Sequence, residues 1–206
     1  MALIKHFLIG FFFLSLAQNS YALMEFSGNF GYKKQVYGSS RQNDITDRSY
    51  GASVAVYLFN LTAVEFNYNQ NEVITDEHNT YSIDSTYDVI GSYNRVLSYS
   101  YGVGIRQALA PRKARLVPSL SIGYARQFTR DSTSLTIRNK NSGNNFTISD
   151  DPTKLRSDSV FGTFSLKLRL TARLSLNGSV NTIFPAFQTD KAKDNIKYMI
   201  GFSWYL

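Results

Sequence analysis

Few residues in this chain could do chemistry, and most of them are charges. Histidine is the first place to look for acid–base work. His78 stands near Asp76, Glu77 and Ser82 in one polar stretch. A histidine beside a carboxylate and a hydroxyl can activate a nucleophile. A lone loop histidine among acids is more often simply solvated. The chain has no cysteine, so it has no disulfide, no reactive thiolate and no cysteine metal site. Metal-ligand spacing, a phosphate-binding glycine loop and a nucleophile elbow are all missing. Asp150, Asp151 and the asparagine-rich residues 138–146 offer oxygens to calcium, but without the spacing of a calcium loop. No catalytic residue, metal or cofactor is therefore assigned. Two patterns stand out among the remaining ionisable residues. Glu25, Lys33, Glu65, Arg106, Lys167, Arg169 and Lys197 alternate with apolar residues and share their register with Ser, Asn and Gly. Arg126 and Arg130 share a register with the aromatic residues Tyr124 and Phe128 instead.

Both patterns have a period of two, so the elements that position these charges are β-strands. The clearest is the last stretch, where Ile196, Tyr198, Ile200, Phe202, Trp204 and Leu206 alternate with Lys197, Met199, Gly201, Ser203 and Tyr205. The same alternation predicts strands at 24–34, 48–59, from 63 onward, 98–109, 116–129, 157–170 and 174–184. On each, one face is bulky and apolar. The other mixes small residues with ions.

The connections alternate in length. Residues 60–62, 110–113 and 171–173 are short turns, whereas 35–47, 71–97, 130–156 and 185–194 are long and polar. With both termini on the short-turn side, the strand count must be even. Reading 71–97 as an extended hairpin gives eight strands. A separate strand at 83–94 requires another within 130–156 and gives ten. Eight fits the pattern better.

Residues 1–22 read as a cleaved secretory signal. Lys5 and His6 precede an apolar run at 7–17, followed by Ser20-Tyr21-Ala22 as a processing site. That run is too short for a spanning helix, which needs about 20 residues. Residues 23–206 then form one domain. Losing Lys5 leaves 21 basic and 15 acidic residues, a net charge of +6. For an exported chain the anions to expect are lipopolysaccharide phosphates or the periplasmic cell wall rather than nucleic acid. Aromatic residues make up 15% of a chain whose mean hydropathy is only −0.21. Apolar residues spread over alternating positions produce that combination in a transmembrane barrel.

The terminal strand, with Gly201, Phe202, Trp204 and Leu206, resembles the closing strand of bacterial outer-membrane β-barrels. In that family this strand is the signal read by the barrel-assembly machinery. Here Met199 stands where a polar residue is usual, and Leu206 where phenylalanine is usual. YGVGI at 101–105, PSLSIGY at 118–124 and IGFSW at 200–204 resemble strands of the small OmpA/OmpX/OmpW-like barrels. The resemblance implies an all-β fold: an antiparallel up-and-down barrel with short periplasmic turns and long extracellular loops. It also implies a monomer in the bacterial outer membrane. Some small barrels modify lipids with a histidine and a serine or aspartate, but no local motif of those enzymes surrounds His78.

Within such a barrel the inward charges must pair or be hydrated. We expect Glu65, Arg106, Lys167 and Arg169 to form an ion-pair network that fills the lumen; the alternative is a gated narrow pore. Arg126 and Arg130 would lie at head-group height. They either clamp lipopolysaccharide phosphate, which arginine can pair bidentately, or are merely solvated strand ends. The expected role is structural or surface-interacting through the loops. A narrow pore for small solutes and a lipid-modifying enzyme are the alternatives.

Overall fold

The computed structural model describes residues 23–111, 113–186, 192–193 and 195–206. The expected signal segment, residues 1–22, lies outside the described residues. The chain forms ten antiparallel strands: β1 (Met24–Tyr37), β2 (Asn43–Tyr57), β3 (Thr62–Glu77), β4 (Tyr81–Ser82), β5 (Tyr87–Ala108), β6 (Leu116–Asn139), β7 (Asn145–Ser149), β8 (Thr153–Arg169), β9 (Leu174–Pro185) and β10 (Lys197–Tyr205).

Eight of these close a ring. Its order is β1–β2–β3–β5–β6–β8–β9–β10, and β10 pairs back onto β1 with Phe26 opposite Trp204 and Ser27 opposite Ser203. Closure removes the free edges that an open sheet would expose. The remaining two strands lie outside the ring. β4 pairs with the far end of β5, and β7 with the far end of β6. The eight-strand expectation holds for the ring, and 71–97 is an extended hairpin.

The alternation sorts the faces as expected. Phe26, Tyr50, Phe66, Val103, Ile105, Ile122, Leu166 and Ile200 point outward and are exposed. Ser27, Ser53, Ser119, Ser121, Ser165, Ser175 and Ser203 line a polar interior. Aromatic side chains pack together on the outer wall. Phe30 meets Tyr50 at 5.3 Å, Tyr68 meets Tyr101 at 5.2 Å, and Tyr99 stacks on Phe128 at 5.2 Å.

One aromatic side chain turns inward. Phe161 is fully buried and lies over Gly102, Gly104 and Gly123. Gly104 faces Gly123 across β5–β6, and Gly123 faces Phe161 across β6–β8. A Cβ on either glycine would strike backbone on the facing strand and the Phe161 ring. The three glycines thus make room for one large side chain, a form of aromatic rescue.

The long polar segments are not all loops. β1 runs on to Tyr37 and β2 begins at Asn43, so most of 35–47 is strand. Likewise β6 continues to Asn139 and β8 begins at Thr153 within 130–156. Beyond the apolar belt both faces meet water. Backbone pairing continues there, but nothing imposes an apolar–polar alternation on the side chains. β5 and β6 have 22 and 24 residues, whereas a tilted crossing needs about 9–11. Roughly half of each therefore stands beyond a bilayer-thick belt.

Candidate functional site

The lumen is closed near its short-turn end by four charged side chains. Glu25 is the second residue of β1 and Glu65 the fourth of β3, while Arg106 and Lys167 lie two residues from the ends of β5 and β8. Each enters the lumen by alternation, and each is at most 4% exposed. Arg106 holds Glu65 with two nitrogens: NH2 donates to Oε1 at 2.5 Å and Nε to Oε2 at 3.0 Å. Its NH1 donates to Glu25 Oε1 at 2.8 Å. Lys167 Nζ also donates to Glu25 Oε1. Tyr57 donates to Glu25 Oε2 at 2.7 Å, and Ser27 to Oε1 at 3.1 Å. Ser53 accepts from Arg106 at 3.1 Å.

Two carboxylates and two cations sum to zero charge. Buried ions carry a desolvation cost that is offset only by close pairing and further hydrogen bonds, and both are present here. Beneath the cluster, Ala55, Tyr57 and Ala63 form a small apolar floor against Leu23 and Tyr205.

Above the cluster the lumen widens. Asn177 Oδ1 and Ser179 Oγ are buried without a protein partner among the described residues. They line a cavity of about 20 Å³, with Arg106 and Glu65 at its base, room enough for about one water. Beyond it is a vestibule of about 370 Å³, lined by Asn69, Asn71, Ser98, Gln127, Lys33 and Lys197 among others.

Of the four expected network members, Glu65, Arg106 and Lys167 come together. Arg169 does not. It sits at the rim, where its Nε donates to the Thr171 carbonyl at 3.1 Å and NH1 to the Lys113 carbonyl at 3.2 Å. It is the last residue of β8, so its side chain reaches the turn rather than the lumen. The hub is instead Glu25, which the sequence placed only in the inward set. Its position as the second residue of its strand, level with Arg106 and Lys167, was the available signal. Tyr57 was not singled out, although its parity with Ser53 and Ala55 puts it on the inward face.

Arg126 and Arg130 lie on the outer wall. Arg126 is not unpaired: its Nε donates to Asp158 Oδ1 at 3.3 Å, its register partner on β8. Arg130 is exposed and faces Lys154 on β8. The Arg156 guanidinium carbon lies 5.8 Å from the Phe128 ring centre. Arg126, Arg130, Lys154 and Arg156 thus make a basic strip. Arg130 and Lys154 have no carboxylate partner among the described residues.

His78 faces the Gln42 carbonyl at 3.1 Å through Nδ1 and lies 3.7 Å from Asp76. The Ser82 hydroxyl donates to the Asp84 carbonyl and accepts from Lys140. His78 therefore touches the β1–β2 turn, while Ser82 belongs to the β4–β5 hairpin.

The terminal residues close the ring. Phe202, Trp204 and Leu206 point outward and are exposed. Leu206 donates its N–H to the Met24 carbonyl at 2.9 Å. Gly201 faces β1 so closely that a Cβ there would collide with the Gly28 carbonyl oxygen and Asn29.

No family model and no curated protein matches the chain. Solved structures do. The chain is similar to the outer membrane protein OprG from Pseudomonas aeruginosa, with TM-score 0.53 and 11% identity, covering 90% of this chain and 96% of that one. The fold is that of the small outer-membrane β-barrels. The N-terminal barrel domain of Pseudomonas aeruginosa OprF aligns with TM-score 0.47 at 14% identity over 90% and 98% of the two chains. The attachment invasion locus protein Ail of Yersinia pestis aligns with TM-score 0.46 at 10% identity over 90% and 99%.

Proposed function

We propose that this chain is a monomeric integral protein of the bacterial outer membrane, a non-conducting scaffold that displays long hairpins at the cell surface. The observation that carries this reading is the neutral Glu25–Arg106–Glu65–Lys167 cluster, closing the lumen of a ring whose outer face is apolar. An apolar band on a closed sheet suits hydrocarbon, where every backbone polar group must be paired internally. In this reading the buried cluster blocks the lumen to water and ions. Export by the N-terminal segment and assembly through the Gly201–Leu206 strand belong to the same reading.

The surface partner we propose is lipopolysaccharide. Arg126 and Arg130 supply guanidinium groups at the outer end of the aromatic belt, and Lys154 and Arg156 extend the strip. Because Asp158 already engages Arg126, Arg130 is the freer phosphate donor.

Planar-bilayer recording tests the central claim. Purified protein should give heat-modifiable migration on gels and little steady conductance. A stable open conductance that survives Glu65→Ala and Arg106→Ala unchanged overturns the plug and favours a pore. Lipopolysaccharide should raise the unfolding temperature of wild type by mass action, and less so for Arg126→Ala/Arg130→Ala. Equal stabilisation of both removes the phosphate contact.

A further inference from the structure

The seams of the ring are not bonded to equal lengths. β1 stays in register with β2 from Met24↔Val56 to Tyr37↔Asn43. β10 stays in register with β9 as far as Lys197↔Asn181. Between β1 and β10, however, the ladder stops at Phe30↔Ile200. Beyond that point Tyr32 and Lys33 on one side, and Lys197 and Tyr198 on the other, no longer pair across the seam. Alternation sorts these four. Tyr32 and Tyr198 point outward, whereas Lys33 and Lys197 point into the lumen beside Asp47. The seam becomes a slot with aromatic rings on its lipid side and charge on its lumen side.

Space lies on both sides of the slot. Outside is an apolar groove of about 570 Å³ walled by Phe30, Phe164, Leu166, Val180 and Ile200. Gly178 forms its floor, and a Cβ there would meet nothing within 4 Å. Inside is the vestibule. A third cavity, of about 290 Å³, shares Lys33, Asp47 and Lys197 with the vestibule and Tyr32 and Tyr198 with the groove. Each of these spaces is near the size of ordinary ligand sites, roughly 300–1,000 Å³.

Height and charge identify the occupant. Lys33 is nine residues above Met24, about 30 Å along the strand at roughly 3.3 Å per residue. At a tilt of about 40° that is a rise of roughly 23 Å, close to the top of an apolar band about 25 Å tall. The slot therefore meets the head-group level of one leaflet. Lys197 Nζ pairs with Asp47 Oδ2 at 3.3 Å. Lys33 has no ion-pair partner among the described residues. Two cations and one carboxylate leave one positive charge, the complement of one phosphodiester.

We propose that the β1–β10 slot binds one anionic phosphodiester lipid. Its phosphate sits between Lys33 and Lys197, and one acyl chain lies in the groove over Gly178. This rests on the membrane reading above. Free phosphate offers the same anion but has no use for the groove.

The test uses protein expressed with its own N-terminal segment and extracted from membranes in mild detergent. It is mixed with equal phosphatidylglycerol and phosphatidylcholine, and native mass spectrometry counts retained lipid. Heat-modifiable migration confirms folding of every variant, so failure of the barrel reading is seen separately. Wild type should retain one phosphatidylglycerol in preference to phosphatidylcholine. Lys33→Gln/Lys197→Gln removes charge-assisted hydrogen bonds and should lower that retention at least about tenfold. Gly178→Leu fills the groove and should lower it too, while excess inorganic phosphate should leave wild-type retention intact. Equal retention of both lipids, or undiminished retention by either variant, overturns the proposal. Displacement by inorganic phosphate with normal binding in Gly178→Leu does so as well, and assigns a free-anion site.

Discussion

Replacing Arg106 with alanine tests the lumen cluster most directly. The guanidinium makes both of the hydrogen bonds from cations that Glu65 receives. Glu25 loses less, because Lys167, Tyr57 and Ser27 still donate to it. Arg106→Ala thus leaves the lumen one negative charge in excess, concentrated on Glu65, which is 3% exposed. Removing one partner of a buried pair costs about 3–5 kcal/mol, chiefly through the charge left behind. Adding Glu65→Ala removes that charge. The double variant should recover at least about 2 kcal/mol relative to the sum of the single effects, beyond the roughly 0.2–1 kcal/mol of an exposed pair. Equilibrium urea unfolding of refolded protein in lipid vesicles measures all three, with tryptophan emission of Trp204 as the probe. If the double variant is as destabilised as the two singles added together, Glu65 and Arg106 are independently hydrated and the plug reasoning fails.

Three further outcomes follow from the same geometry. Ile122, outward and six residues into β6, lies nearer the middle of the apolar belt than Leu168, which pairs with the first residue of β6. Ile122→Arg should cost about 2–4 kcal/mol and Leu168→Arg about 0–1 by urea unfolding; equal costs would show that the belt is misplaced. Phe161→Ala empties the space over Gly102, Gly104 and Gly123 and should cost about 3–5 kcal/mol, with a cost below 1 kcal/mol refuting its role as a filler. At the exposed end of β5, the hydrogen bond from Lys140 holds the Asp88 carboxyl below its ordinary range. A lowered folded-state pKa gives stability that is present above the unfolded pKa and lost as pH falls through the folded one. Hydrogen-exchange protection of the β5–β6 tip should therefore decline in acid below the ordinary aspartate range, near pH 4, and Lys140→Gln should weaken that dependence, with Arg138 and Ser82 still facing Asp88.

The wall was legible in the sequence because two solvents impose opposite demands on alternate residues. Val103, Ile105 and Ile122 could only face lipid if Arg106, Ser119 and Ser121 faced the lumen. Where that contrast ends, legibility ends with it. Val36 and Ile45 continue a hairpin that polar composition disguised as a loop, because both of its faces meet water. Lys167 and Arg169 share a face in the sequence, yet only Lys167 reaches Glu25. Separating them requires knowing where β8 ends relative to β1, and register across a closed ring is a property of the ring. Phe161 is hidden for a related reason. Its parity with Thr163, Ser165 and Lys167 puts it on the inward face, but nothing in the sequence shows room for an aromatic ring there until Gly104 and Gly123 are seen to face each other inside.

The position of the cluster along the barrel axis bears on what the barrel can pass. Glu25, Arg106 and Lys167 all lie within three residues of the short-turn end of their strands. The asparagine, serine and glutamine residues of the vestibule lie above them. A plug at mid-height would leave two equal cups. One at the inner end leaves a single chamber, deep and lined largely by neutral hydrogen-bonding groups, facing the long hairpins. Its floor of two carboxylates and two cations carries no net charge that would favour ions of one sign. Among the described residues that line it, the charged ones are Lys33 and Lys197 on β1 and β10, beyond the end of their ladder, and Asp47 on the adjoining β2. The charged side chains that line the vestibule, Lys33, Lys197 and Asp47, therefore stand at the side of the chamber and not at its base.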